Sequence, residues 1–227
     1  MGRGVRLGLC RPIEFELAFE KPPIPEGKSA AKHLRRGAAG GNALCRGSGG
    51  WHDSQLTPAG ARPRIPEDAE VEVFSSDRQR DLQTARVVGD LLHVEPVVDR
   101  RLREKSYGQA EGKPQAWLDQ RFIPPSAVGD RMRHDEGLPG AEAKASFAQR
   151  IYAVMDAILE SSCDHQIIVT HGFAVTFALA WWIRMQIESL GYVNFRVDSG
   201  SITELWEDDY FHNRQIVGLS DTRHLAT

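Results

Sequence analysis

The periodicity of apolar and polar positions sharpens only part-way along the chain. Residues 1–31 hold neither a two-residue nor a 3.6-residue period, and Lys21-Pro-Pro-Ile-Pro-Glu-Gly-Lys28 has the composition of a linker. This span reads as an irregular N-terminal extension, followed by one domain over residues 32–227 whose first strand ends at Leu34. From Glu70 the pattern is clear. Val71, Val73 and Phe74 form a short β-rich run that stops at Ser75-Ser76-Asp77, residues suited to capping a helix. Leu82, Ala85, Val88 and Leu92 then recur at helical spacing, and Val94–Val98 is a second candidate strand. Phe147, Ile151, Val154, Met155, Ile158 and Leu159 mark an amphipathic helix. Gln166-Ile-Ile-Val-Thr170 reads as a buried strand, and a very apolar helix follows His171-Gly172 as far as Met185. Val193, Phe195 and Val197 alternate, as do the residues from Ile202 to Trp206, which predicts an antiparallel pair around Asp198-Ser-Gly-Ser201.

Strands alternating with helices imply a sheet covered on both faces. The expected fold is α/β, a three-layer sandwich with a mostly parallel central sheet and an antiparallel edge strand near residues 193–206. The strand ends at Leu34, Phe74 and Thr170 should converge on one edge, where open α/β sheets bind ligands.

Composition narrows the function. The 227 residues suit one domain with a full core, and the balance of 28 Lys and Arg against 31 Asp and Glu gives a net charge of -3. With a pI near 6.2 nothing supplies a general attraction to a phosphate backbone, so no nucleic-acid partner is expected. The 3 cysteines, Cys10, Cys45 and Cys163, form no CxxC pair, which argues against a zinc knuckle or a disulfide framework and fits a reducing compartment. The apolar run Phe173–Ile183 is too short to span a bilayer, and the basic N-terminus lacks an apolar core for a secretory signal. A cytoplasmic monomer or homodimer with no membrane partner, no metal and no cofactor is expected. His52, His134 and His165 show no ligand spacing.

Reactive polar groups cluster just past expected strand ends: Arg35-Arg36-Gly37-Ala38-Ala39-Gly40-Gly41-Asn42, Ser75-Ser76-Asp77-Arg78-Gln79-Arg80, and Thr170-His171-Gly172. Arg101-Leu-Arg-Glu104-Lys-Ser-Tyr-Gly108 adds a carboxylate ahead of a glycine turn. The string Val73-Phe-Ser-Ser-Asp-Arg-Gln-Arg-Asp-Leu-Gln-Thr-Ala85 resembles the SSDLxRxxQTA segment of the histidine phosphatase superfamily, the phosphoglycerate mutase-like proteins. Arg101-Leu-Arg-Glu104 is similar to that family's LRE motif, Ile168-Val-Thr-His171-Gly172 to its second-histidine motif, and Leu56-Thr-Pro-Ala-Gly60 to its LTxxG loop. All four stand in the family's order.

The resemblance implies a metal-independent phosphatase acting on a small phosphorylated metabolite through a phosphohistidine. Arg35 and Gly37 match the ends of the family's RHG string, and Asn42 sits at the usual offset after it. Arg80 matches the phosphate-clamping arginine, Glu104 the proton donor and His171 the second histidine. The nucleophile position holds Arg36, and Ala38 replaces the usual acid. Arginine stays protonated and has no free lone pair, so it cannot attack phosphorus. His33, three residues back on a strand, would face the other way. Only Ala61–Glu70, with Pro63 and Pro66 inside, separates Gly60 from the next strand, too short for the family's helix. Two alternatives stay open: a non-catalytic phosphate-ester binder, and phosphoglycerate mutase-type phosphotransfer. Lys105-Ser-Tyr-Gly-Gln-Ala-Glu-Gly112 lacks the mutase-type string and resembles the phosphatase-type branch more closely. Substrate choice is expected in the insert between Gly112 and Phe147, which holds Trp117, Arg121, Arg131, Arg133 and His134.

Overall fold

A computed structural model describes residues 11–16, 70–161, 163, 165–207 and 211–223; of 11–16 it describes the backbone alone. Six strands form one sheet: β1 (Arg11–Glu16), β2 (Val71–Ser75), β3 (Val97–Val98), β4 (His165–Val169), β5 (Ile202–Glu207) and β6 (Arg214–Asp221). Their order across the sheet is β3-β2-β4-β1-β5-β6. The pairs β3–β2, β2–β4 and β4–β1 are parallel, whereas β5 runs antiparallel to both β1 and β6. The mostly parallel α/β sheet is therefore as the sequence predicts.

Successive residues of β4 face opposite sides of the sheet, and each side is covered. Ile167 and Val169 join Val73, Ala85 and Val88 in one buried cluster, which places helix α1 (Gln79–Leu92) on that face. Ile168 and Leu205 belong to the other cluster, with Phe147, Ile151 and Met155 of helix α3 (Lys144–Leu159) and Phe177, Leu179 and Trp182 of helix α4 (Gly172–Trp182). Rings of Phe147, Phe173 and Phe177 meet there at centroid distances of 5.0 to 5.4 Å. The segment after β3 carries two 3-10 turns, Arg100–Leu102 and Gly108–Ala110, and a short helix α2 (Gln115–Asp119) with no buried residue. No helix among the described residues is long and apolar enough to cross a membrane.

Three expectations are corrected. The span read as irregular contains β1, and this strand sits at an interior position of the sheet, with Ile13 opposite Gln166 and Leu205. Residues 193–197 form no strand. At their centre Thr176 on α4 satisfies the backbone of Phe195, its hydroxyl donating to Phe195 O and accepting from Phe195 N at 3.2 and 3.1 Å, so these two groups are not left for a ladder. The antiparallel edge is instead β6, paired with β5. The helix after β2 starts later than Ser75-Ser76-Asp77 suggests, with Arg78 at its N-cap. The expected strand ending at Leu34, the loop Leu56–Gly60 and the short segment after it lie outside the described residues.

Candidate active site

The carboxyl ends of β2 and β4 lie side by side in parallel register, so Ser76 and Thr170 leave the sheet together. Three bonds tie these exits. Ser76 N donates to Val169 O at 3.1 Å, Asp99 N to Ser75 O at 2.8 Å, and the Thr170 hydroxyl to Leu102 O at 2.7 Å. The third bond brings the Arg101–Glu104 segment to the same edge.

On this frame Arg80 and His171 meet, although 91 residues separate them: Arg80 Nη2 lies 2.7 Å from His171 Nδ1. A guanidinium only donates, so Nδ1 accepts and the neutral ring carries its proton on Nε2. That nitrogen has Ser76 Oγ and Asp81 Oδ2 each at 3.0 Å. All three charged or titratable groups are sequestered, with Arg80 and Asp81 at 3% exposure and His171 at 0%. His171 is also the N-cap of α4, in extended conformation, where the helix presents its free N–H groups. Phe173 N uses one of them on Glu104 Oε2 at 3.1 Å, while Lys105 N donates to Glu104 Oε1 at 3.0 Å. Arg150 on α3 holds the loop from behind through the carbonyls of Arg101, Arg103 and Glu104, and pairs with Glu142. Arg103 makes two short bonds to the carboxylate of Asp77, which lowers that acid below its usual range.

The electrostatics follow from burial and charge. Glu104 is raised above the ordinary carboxylate range, chiefly by burial; the N–H groups of Lys105 and Phe173 and the charges of Arg80 and Arg150 oppose this. Such an acid holds a proton closer to neutral pH, as a general acid must. His171 is held well below 6.5, first by burial and then by Arg80, Arg78, Arg150 and Arg103. The sign of its effect on stability is fixed by this depression. Above the unfolded pKa both states are neutral at this residue; as pH falls below it, the unfolded chain takes a proton that the folded chain refuses, and stability is lost. Urea denaturation of the wild type and His171→Asn at about pH 7.5 and about pH 5 is expected to show the larger acid-side loss in the wild type. Equal losses would remove the assigned charge state.

The structure brings together Arg80, Glu104 and His171 of the residues picked out in the sequence. Arg35, Arg36 and Asn42 lie outside the described residues. Asp81 and Ser76 are the members that sequence reasoning missed as site residues. Asp81 gave no signal, since an acid in a first helical turn is commonplace. The insert residues engage mostly one another: Arg121 stacks on Trp117 at 4.4 Å, Arg131 on Tyr192 at 4.7 Å, and His134 Nε2 meets Ile123 O at 2.7 Å. Among the described residues no three His, Cys, Asp or Glu are grouped to hold a metal ion.

Known proteins identify the family and the fold. Residues 33–217 match the model of the histidine phosphatase superfamily, branch 1. The chain is 28% identical over 163 residues to the "Putative phosphoserine phosphatase 2" of Hydrogenobacter thermophilus, covering 67% of this chain and 77% of that one. It is 27% identical over 189 residues to the "Probable phosphoglycerate mutase GpmB" of Yersinia pestis, covering 78% of this chain and 86% of that one. Among solved structures, Bacillus stearothermophilus YhfR superposes with a TM-score of 0.62 at 19% identity, over 94% of this chain and 98% of the other. The alpha-ribazole phosphatase from Shigella flexneri gives a TM-score of 0.62 at 17% identity, over 92% and 96%. At these identities the structures speak for the fold, and the match over most of the sequence speaks for the family. The chain belongs to the histidine phosphatase superfamily, branch 1.

Proposed function

We propose that this chain binds small phosphomonoesters at the junction of β2 and β4, and that it hydrolyses them slowly because Arg36 occupies the nucleophile position. The observation that carries the reading is the buried contact between Arg80 and His171, flanked by Glu104. A phosphoryl group in flight spreads charge over three equatorial oxygens, and fixed cations in a dry site are what it needs. Arg80 and Arg35 clamp those oxygens, Asn42 assists, and His171 hydrogen-bonds the phosphoryl group. Glu104, with its raised pKa, protonates the leaving alcohol and then activates water. What the site lacks is a nucleophile, because position 36 offers guanidinium donors alone. The arginine favours a second reading, a phosphate-ester binder without turnover. Mutase-type transfer finds support in the likeness to a protein named as a phosphoglycerate mutase; it requires the same nucleophile and is weakened equally. A turnover assay on p-nitrophenyl phosphate separates slow hydrolysis from binding alone.

Binding itself is tested by removing the clamp. Arg80→Ala is expected to weaken phosphate or vanadate binding by about 2 kcal/mol, the scale of a lost charge-assisted contact. Calorimetry that found equal affinity in wild type and variant would reject the site.

A further inference from the structure

Asp81 has no part in the roles above, yet it is placed as if it had one. An acid in the first turn of a helix ordinarily faces solvent and complements the helix dipole. Asp81 is instead enclosed, with Oδ2 at 3.0 Å from His171 Nε2 and 3.9 Å from Arg80 Nε. Burying a carboxylate against an imidazole is costly, and the pair is most stable when the ring is charged. The ring is neutral here, since Arg80 occupies Nδ1 and burial and the charges of four guanidinium groups disfavour its protonation. These are Arg78 and Arg80 at the start of α1, Arg103 beyond the first 3-10 turn, and Arg150 on α3; Glu104 is the nearby acid on the α4 side. A bound oxyanion reverses the balance. Such an anion would draw Arg80 towards itself, free the Nδ1 lone pair, and offset part of the positive field.

We propose that Asp81 is a positioning residue that lets His171 take up a proton when a tetrahedral oxyanion binds. The proton comes from solvent and forms a bond to Nδ1, with no other bond made or broken. The imidazolium then donates from Nδ1 to the anion and from Nε2 towards the Asp81 carboxylate. This rests on the reading of the junction as a phosphate site. Its consequence is that His171 acts as a cation towards the bound group although it is neutral before the anion arrives, and that anion affinity rises as pH falls.

The test uses sulfate, which is fully ionised near neutral pH, so that any proton taken up enters the protein. Binding enthalpies are measured by calorimetry on the full chain at about pH 7 in buffers of different ionisation enthalpy. The wild type is expected to take up about one proton per sulfate, and Asp81→Asn to bind sulfate with this uptake lost. No sulfate binding by the wild type would overturn both the phosphate-site reading and the role of Asp81. Sulfate binding without proton uptake, or equal uptake in Asp81→Asn, would overturn the role of Asp81 alone. Should Asp81→Asn fail to fold, the ring of His171 in the wild type decides. With sulfate bound, two protonated nitrogens by 15N shift and an Nε2 proton moved downfield by a carboxylate partner support the proposal. A ring still neutral overturns it.

Discussion

Arg36→His is expected to raise turnover on p-nitrophenyl phosphate by about 10³-fold or more. The ceiling is set by what a covalent nucleophile contributes to a site whose other parts are intact, on the order of 10⁶ in turnover. Among the described residues, three of the candidate groups meet at the junction of β2 and β4. Arg80 is held against His171, and burial raises the Glu104 carboxyl above its ordinary range. An unprotonated imidazole at position 36 would supply the lone pair that a guanidinium lacks, splitting one hard displacement into two easier ones. Ala38→Glu, which restores the family's acid after the glycine, is expected to add to the gain. Residual turnover in the parent would come from fixed charges orienting water, since electrostatic preorganisation survives loss of a nucleophile. Trapping makes the outcome specific: labelled phosphate stays on Arg36→His after an acid-free quench and not on the parent. A fast parent carrying a phosphoenzyme at some other residue would refute the assignment of Arg36.

What could be read from the sequence depended on how local each signal was. The run from Gln166 to Thr170 is β-rich and bounded by His171-Gly172, so β4 and the start of α4 were legible from residues in direct succession. The same holds for Val71–Ser75 and for the apolar face of α3. By contrast β1 was hidden. Interior parallel strands usually read as continuous apolar runs, and Arg11-Pro-Ile-Glu-Phe-Glu16 does not; it carries a proline and three charges. Residues 193–197 failed in the opposite sense. Their alternation fits a strand, but a hydroxyl from another element, Thr176, takes the backbone N–H and C=O of Phe195 at the centre of the segment. The edge strand β6 alternates half-buried with exposed positions and carries Gly218, a weak strand former. In the site, Arg80, Glu104 and His171 were legible because short strings around them resemble the family's. Asp81 was not, because its significance lies in a contact across 90 residues of chain, from α1 to the end of β4.

The residue after Glu104 carries the other large expectation. Lys105 is almost completely enclosed, its side chain 1% exposed, and its ammonium pairs with Glu136 of the insert, itself 14% exposed. The ammonium also stands 4.5 Å above the ring of Tyr107. Because Lys105 N donates to Glu104 Oε1, this ion pair ties the insert to the loop that orients the proton donor. A buried pair adds little net stability over apolar residues of the same volume, but breaking it strands a charge. Lys105→Met, which leaves the partly exposed Glu136 without its cation, is expected to lower stability by roughly 3 kcal/mol. Glu136→Met should cost more, because the stranded ammonium is the deeper of the two groups. The double variant should recover most of the loss, since neither charge remains to be desolvated. Urea denaturation of the four proteins measures this coupling directly, with turnover and anion affinity followed on the same samples. The recovery in the double variant separates a stranded charge from a lost cavity filler. Single variants within about 1 kcal/mol of wild type, or a double variant as unstable as the sum of both, would mean that Lys105 is not a paired interior charge and that the insert is anchored by other contacts.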